Sequence, residues 1–305
     1  MICDAHIHYI PQELSEHTSF YRGVWTRRDA LYRYLEEEGI ERALLVYPST
    51  DAHLKIGIRD TVRMYNSAAE RVMRDNPKVL AAALVNPHER DSLEVQIDSL
   101  ARRGFRAVSL SSSYEGKFLV RELFPLFDAA ARHQMAVYIH PQTINPIGFE
   151  RVKDPLLMPV LEYSFDLSMC MGLMMMEGVF SRFPLPFVFS SLGGVIPLLA
   201  GRFDRVYAML RARGYVKDLG RPPTEILGTV YVDISGATPA TLALARDLYG
   251  DDRLLWGSDY PVHADADRRG ALLADVPAAA RRKIQRENFF AVFGMTIPPG
   301  KKERE

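Results

Sequence analysis

Residues 2–8 read Ile-Cys-Asp-Ala-His-Ile-His. The stretch is apolar enough for a buried strand and carries two imidazoles at alternate positions. Side chains two apart in a strand point to the same face, so His6 and His8 project together near the end of this segment. Such a pair can chelate one metal ion. Two packed pocket histidines satisfy the same spacing, because a His-x-His motif is short. Seven more apolar runs follow, at Ala43–Tyr47, Val79–Leu84, Ala107–Leu110, Ala136–His140, Phe187–Ser190, Val230–Ile234 and Leu254–Trp256. They are continuous rather than alternating, which is the pattern of strands covered on both faces. Amphipathic helical stretches lie between them, at Arg28–Glu38, Asp60–Asp75, Ser92–Arg103, Arg121–His133, Thr238–Leu248 and Pro277–Phe293. Eight strands alternating with helices predict an α/β fold, a (β/α)8 TIM barrel.

The chain has 305 residues, 48% hydrophobic and 25% charged, with 38 Lys plus Arg against 38 Asp plus Glu. One barrel of about 250 residues with insertions accounts for that length. The expected division is a single domain over 1–297 and a polar tail over 298–305. A formal charge of zero offers no basic face for nucleic acid. No apolar run is long enough to span a bilayer. Cys3 and Cys170 stand far apart without framework spacing and read as free buried thiols in a reducing compartment. The start, Met-Ile-Cys-Asp, shows neither a basic region nor a long apolar run, so a cytoplasmic location is expected.

Two further residues join the histidine pair. His140 ends the run Met135–His140 and precedes Pro141, and Asp259 ends Leu254–Asp259 and precedes Tyr260-Pro261. Loops after barrel strands form the C-terminal mouth, where active sites sit. Three imidazoles and a carboxylate converging there suit Zn, Mn or Fe with an open position for water. Asp259 also fits a turn or helix cap. The long connections Tyr9–Arg27 and Pro141–Pro159 are expected to shape the pocket, with Tyr9, Arg22, Trp25, Arg27 and Lys55 as candidates to line it. His53, His88 and His263 follow strands two, three and eight and read as loop histidines able to reach the site. The methionines between Met169 and Met176 read as helix packing against the barrel. Gly193-Gly194 reads as a close backbone approach after strand six.

The pieces DAHIH at 4–8, IHP at 139–141, LGGVIPLLAGRFDR at 192–205, GSDYP at 257–261 and ENFFAVFG at 287–294 together resemble the amidohydrolase-related branch of the amidohydrolase superfamily. That branch contains aminocarboxymuconate-semialdehyde decarboxylase and γ-resorcylate decarboxylase. The resemblance spans almost the whole chain. It implies a distorted TIM barrel with one divalent metal, Zn first and Mn second, on His6, His8, His140 and Asp259. It also implies that Asp259 carries a proton. The chain departs from the family at strand six, where Ser191 stands in place of a histidine two residues before Gly193-Gly194. A serine hydroxyl can contact substrate but is no acid or base near neutral pH. The resemblance further implies a homodimer in which Arg202 reaches the partner's substrate carboxylate. An ion pair with Asp204 is the plainer reading of Arg202.

Two reactions fit a small organic acid, cyclic ester or amide as substrate. Hydrolysis by metal-activated water needs only the metal and Asp259. Nonoxidative decarboxylation of an aromatic or muconate-type acid is the alternative, set second because the strand-six histidine is missing. A catalytically silent metal-binding barrel is the third reading. A carboxylate-bearing small molecule is the expected partner, with neither nucleic acid nor membrane.

Overall fold

A computed structural model describes residues 1–148, 150–262 and 270–296. His263 and the tail at 298–305 lie outside these residues. The eight expected strands are present as β1 Ile2–Ile7, β2 Ile40–Leu45, β3 Val79–Leu84, β4 Ala107–Ser111, β5 Ala136–His140, β6 Phe187–Phe189, β7 Tyr231–Asp233 and β8 Leu254–Leu255. Every neighbour pairs in parallel in chain order. The barrel closes between β1 and the segment after β8. Ala5 N donates to the Trp256 carbonyl at 2.8 Å, Asp259 N to His6 at 2.9 Å, and His8 N to Tyr260 at 2.8 Å.

One strand start and the last helix differ from the sequence reading for a physical reason. β2 begins at Ile40 rather than Ala43, because Ile2 pairs with Ile40 at the start of the ladder. The charges that disguised this start are accommodated there, with Glu41 bound by both Nε and an Nη of Arg286 at 2.6 and 3.0 Å. The last helix, expected as one piece over Pro277–Phe293, is Ala278–Arg282, a wide π turn Lys283–Glu287, and Asn288–Val292. Within the wide turn the Ile284 carbonyl accepts from Trp256 N at 2.8 Å. That bond ties the helix to the end of β8, in keeping with π turns arising where a helix serves a local tertiary demand.

The core falls into two clusters. The larger packs the helices against the strands and takes in Met171, Met174 and Met175 of the helix Tyr163–Met176, as expected, whereas Met169 of the same stretch faces outward and is exposed. The smaller joins Cys3, Ala5, Ala82, Tyr138 and Val188 to Phe289, Phe290 and Phe293. Both cysteines are free and buried, and burial pushes the Cys3 thiol up to about 12. Among the described residues no helix is long and apolar enough to cross a membrane.

Gly193-Gly194 permits the close approach read from the sequence. A Cβ on Gly194 would lie 2.3 Å from the Ser164 carbonyl oxygen and 2.4 Å from Ser168 Oγ, at a φ of +71°. Backbone cannot yield there as a flexible side chain would. Gly194→Ala is therefore expected to cost about 2–3 kcal/mol, read as a lowered urea midpoint. An unchanged midpoint would show that the helix Ile196–Ala212 shifts freely against Ser164.

Candidate metal centre

His6 and His8 leave the same face of β1, and His140 ends β5. All three are buried, and one ring nitrogen of each lies within 4.8 Å of the others. Nε2 of His6 and Nε2 of His8 are 3.1 Å apart. Asp259 Oδ1 lies 3.1 Å from His8 Nε2 and 3.5 Å from His6 Nε2. At 22% side-chain exposure Asp259 is the most accessible of the four. The sequence-predicted ligands are thus brought to one point.

The other ring nitrogen of each histidine is already engaged. His8 Nδ1 donates to the Val46 carbonyl at 2.8 Å, just beyond β2. His140 Nδ1 donates to the Pro141 carbonyl at 2.9 Å. His6 Nδ1 faces the Asp233 carboxylate at 3.1 Å, at the end of β7. These contacts fix the tautomers and aim the Nε2 lone pairs inward. Such outer partners are the ordinary accompaniment of histidine metal ligands. Converging lone pairs need a cation or a proton between them, and three nitrogens with one carboxylate oxygen suit a borderline divalent ion. His6, His8 and His140 form a metal-binding triad on this geometry.

The electrostatics agree. Burial opposes charge on His6, yet Asp233 and Asp259 outweigh it and push its pKa up to about 9. Burial pushes His140 well below its usual range, and the neighbouring His8 and His6 push it further. Burial would raise Asp259, but His6, His8 and His140 hold it down at about 2. Negative charge at this point is thus stabilised, as a site for a cation requires.

Several residues that the sequence reading left without a role hold the centre. Asp4, fully buried, accepts from His6 N at 3.1 Å, Ser258 N at 3.0 Å and Tyr34 hydroxyl at 2.8 Å. The Asp of DAHIH therefore clamps the GSD segment beside the histidines. Gly257 must be glycine for that approach, since a Cβ would lie 2.9 Å from His6 Cβ. Asp259 itself sits at a φ of +61°, a strained conformation of the kind concentrated at functional sites. Asp233 was missed altogether. It also accepts from Tyr138 hydroxyl, Ser191 N and Ser235 N. Burial would raise its pKa, but the His6 ring and these hydrogen bonds hold it low. The sequence marked it only as an acid within the apolar run Val230–Ile234.

Ser191 is placed behind His6. Its hydroxyl lies 3.1 Å from Ser235 Oγ, which lies 3.3 Å from His6 Nδ1. Trp25 stacks on His8 at 5.7 Å and packs against Tyr21, so it covers the centre as the long first loop suggested. The candidate cations of the mouth are otherwise engaged. Arg22 bonds within its own loop to Thr18, Arg27 pairs with Asp29, and Lys55 lies 3.8 Å from Asp51. Tyr9 is buried. Arg202 is exposed on the helix Ile196–Ala212, and Asp204 accepts from Thr224 N and Oγ1.

An eight-stranded parallel barrel with three imidazoles and a carboxylate at its mouth is the frame of a metal-dependent enzyme. The chain belongs to the amidohydrolase family, whose profile matches residues 3–295. It is 26% identical over 208 residues to a 2-amino-3-carboxymuconate-6-semialdehyde decarboxylase of Dictyostelium discoideum, covering 66% of this chain and 56% of that protein. The match thus spans little more than half the length of that relative. Solved structures of the same fold include a 2,6-dihydroxybenzoate decarboxylase from Rhizobium, at TM-score 0.79 and 18% identity, covering 96% of this chain and 99% of that one. Another is a 5-carboxyvanillate decarboxylase from Novosphingobium aromaticivorans with manganese and 4-hydroxy-3-methoxy-5-nitrobenzoic acid. It scores 0.80 at 21% identity, covering 97% and 96%.

Removing a ligand and removing its support should differ in degree. His140→Ala is expected to abolish Mn²⁺ binding in calorimetry while preserving the circular dichroism spectrum. Asp233→Asn should weaken it about 10- to 100-fold. Full-strength binding by His140→Ala would remove that residue from the site.

Proposed function

We propose that this protein is a nonoxidative decarboxylase of a hydroxylated aromatic or muconate-type carboxylic acid. The observation that carries this reading is the His6–His8–His140–Asp259 cluster in a barrel whose named relatives are decarboxylases. Hydrolysis, placed first on the sequence, becomes the second reading because those relatives favour the carboxy-lyase. The silent-barrel reading is third, since the ligand set is complete and each histidine is braced.

His6, His8, His140 and Asp259 would hold the ion. Zn²⁺ and Mn²⁺ both suit the donors, and the manganese of the Novosphingobium relative supports the second. When bound, the ion acts as a Lewis acid that orients an oxygen of the substrate. The chain's own residues do the rest. Trp25 walls the site above His8 and limits water. Asp259 Oδ accepts the proton of a ring hydroxyl and passes it to the carbon that bears the carboxylate. The carbon–carboxylate bond then breaks, its electron pair returns to the ring, and CO2 leaves. Ser191 lacks a titratable proton; its role is to support His6 through Ser235 and to offer a hydroxyl to substrate.

A homodimer is part of the same proposal. Leu161, Phe165 and Met169 are exposed at helical spacing, and Leu198 and Leu199 are exposed at the start of the adjoining helix, which continues to Arg202. A stripe of this kind covered by a second copy would carry Arg202 into the interface, where its planar fork suits a carboxylate. The expected compartment is the cytoplasm.

Manganese-loaded protein should release CO2 from 2,6-dihydroxybenzoate or another ortho-hydroxybenzoate. Asp259→Asn should lower kcat about 100-fold or more, as for loss of a proton carrier. Ester or lactone cleavage without CO2 release would restore the hydrolase. Phe165→Asp should shift the sedimentation coefficient to that of a monomer; an unshifted value would leave the stripe without this role.

A further inference from the structure

We propose that a pocket beside the metal centre binds a second hydroxyl group on the ring of an aromatic carboxylate substrate, and that His53 accepts that hydroxyl's hydrogen bond. The inference rests on the carboxy-lyase reading for its aromatic acid. A cavity of about 110 Å³ opens between the ends of β2, β3, β4 and β5, with Ser49, Thr50, His53, His88 and Ser111 in its wall. None of the four candidate ligands lines it, yet it adjoins them. Ser111 pairs in register with His140, and Ser112 N donates to the His140 carbonyl at 2.8 Å. Whole-ligand pockets are larger, about 300 Å³ and up. This one takes one edge of a ring whose carboxylate lies at the histidines.

The wall is built rather than incidental. Ser49 is 4% exposed and held at a φ of +54°. Its hydroxyl is 2.7 Å from Ser111 Oγ, and its carbonyl accepts from Thr143 Oγ1. Strain kept in place by two bonds on adjacent elements is a mark of a functional loop. Leu84 and Ile58 give the cavity an apolar side that suits a ring.

The lining chemistry selects the substituent. Among the described residues no Lys or Arg lines the cavity, and the one acid is Glu115. A second carboxylate would meet no counter-charge there. Ser49 is paired with Ser111, Thr50 Oγ1 lies 2.7 Å from the Tyr47 hydroxyl, and the Tyr114 hydroxyl accepts from Ser111 N at 3.0 Å. His53 is different. Its Nδ1 donates to the Thr50 carbonyl at 3.0 Å, which leaves Nε2 as the nitrogen free to meet a ligand. In the neutral ring with this tautomer Nε2 is an acceptor. A hydroxyl is the ring substituent that fits, and where it stands ortho or para to the carboxylate-bearing carbon it also makes that carbon easier to protonate. His88, exposed at the rim and 6.1 Å from the Tyr114 ring, closes the outer side.

The test uses manganese-loaded wild type, His53→Phe and His53→Gln. Calorimetry compares 2-hydroxybenzoate with 2,3-, 2,4- and 2,5-dihydroxybenzoate, and CO2 release is assayed separately. In wild type one dihydroxy isomer should bind about five- to tenfold more tightly than 2-hydroxybenzoate. His53→Phe should erase that preference without changing the affinity for 2-hydroxybenzoate, and His53→Gln, which keeps an acceptor, should retain part of it. The inference is overturned by any of three results: no isomer gains in wild type, the gain survives His53→Phe, or His53→Phe weakens all four acids alike. A preference erased by His53→Phe in a protein that releases no CO2 would sustain the pocket and sink the carboxy-lyase. CO2 release with no isomer preference would do the reverse.

Discussion

Three imidazoles at the barrel mouth each have Nδ1 committed to an oxygen, and the rest of the site depends on that constraint. The Val46 carbonyl fixes His8, the Pro141 carbonyl fixes His140, and Asp233 fixes His6. The rings cannot turn over without breaking a buried bond, so their Nε2 atoms stay aimed at one point. The acceptors come from beyond β2, from the end of β5 and from β7, while the rings come from β1 and β5. Only a closed barrel brings these together. The three backbone bonds between β1 and the segment after β8 therefore matter as much to the chemistry as to the fold.

Closure also explains why two distant motifs act as one. Asp4 takes N–H groups from His6 and Ser258 on one oxygen. A buried carboxylate that accepts such bonds is far costlier to disturb than an exposed one. The first motif thus sets the position of Asp259 through its aspartate, while its histidines provide the nitrogens. Gly257 allows the two backbones to approach, and the strained φ of Asp259 turns its carboxylate back toward His8. The proposed proton carrier is held by the same contacts that hold the three histidines.

The barrel was legible because strands buried on both faces leave continuous apolar runs, and all eight were visible. The four converging residues were legible because each ends such a run. Charge hid the start of β2, where Glu41 and Arg42 look unlike strand residues until Arg286 is placed beside Glu41. The wide turn at Lys283–Glu287 was hidden because helical periodicity carries no record of a tertiary bond to Ile284. Asp233 stayed invisible for a related reason. Its importance lies in facing His6 across the barrel, 227 positions away in the chain, and no local spacing encodes that. His53 was visible only as a loop histidine; its tautomer follows from the Thr50 carbonyl, which the sequence does not orient.

Ser191 gives these observations a common consequence. With serine at this place just after β6, Asp259 is the one accessible carboxylate of the cluster among the described residues, and its histidine neighbours keep it ionised. An ionised carboxylate cannot protonate carbon until it has received a proton. The nearest source consistent with the geometry is the substrate's own hydroxyl, which a divalent ion at the histidines would make more acidic. A ring hydroxyl therefore both supplies the proton and donates the electron density that makes protonation at carbon affordable. On the carboxy-lyase reading proposed above, serine at this place would restrict the substrates to electron-rich acids and leave Asp259 as the route for the proton.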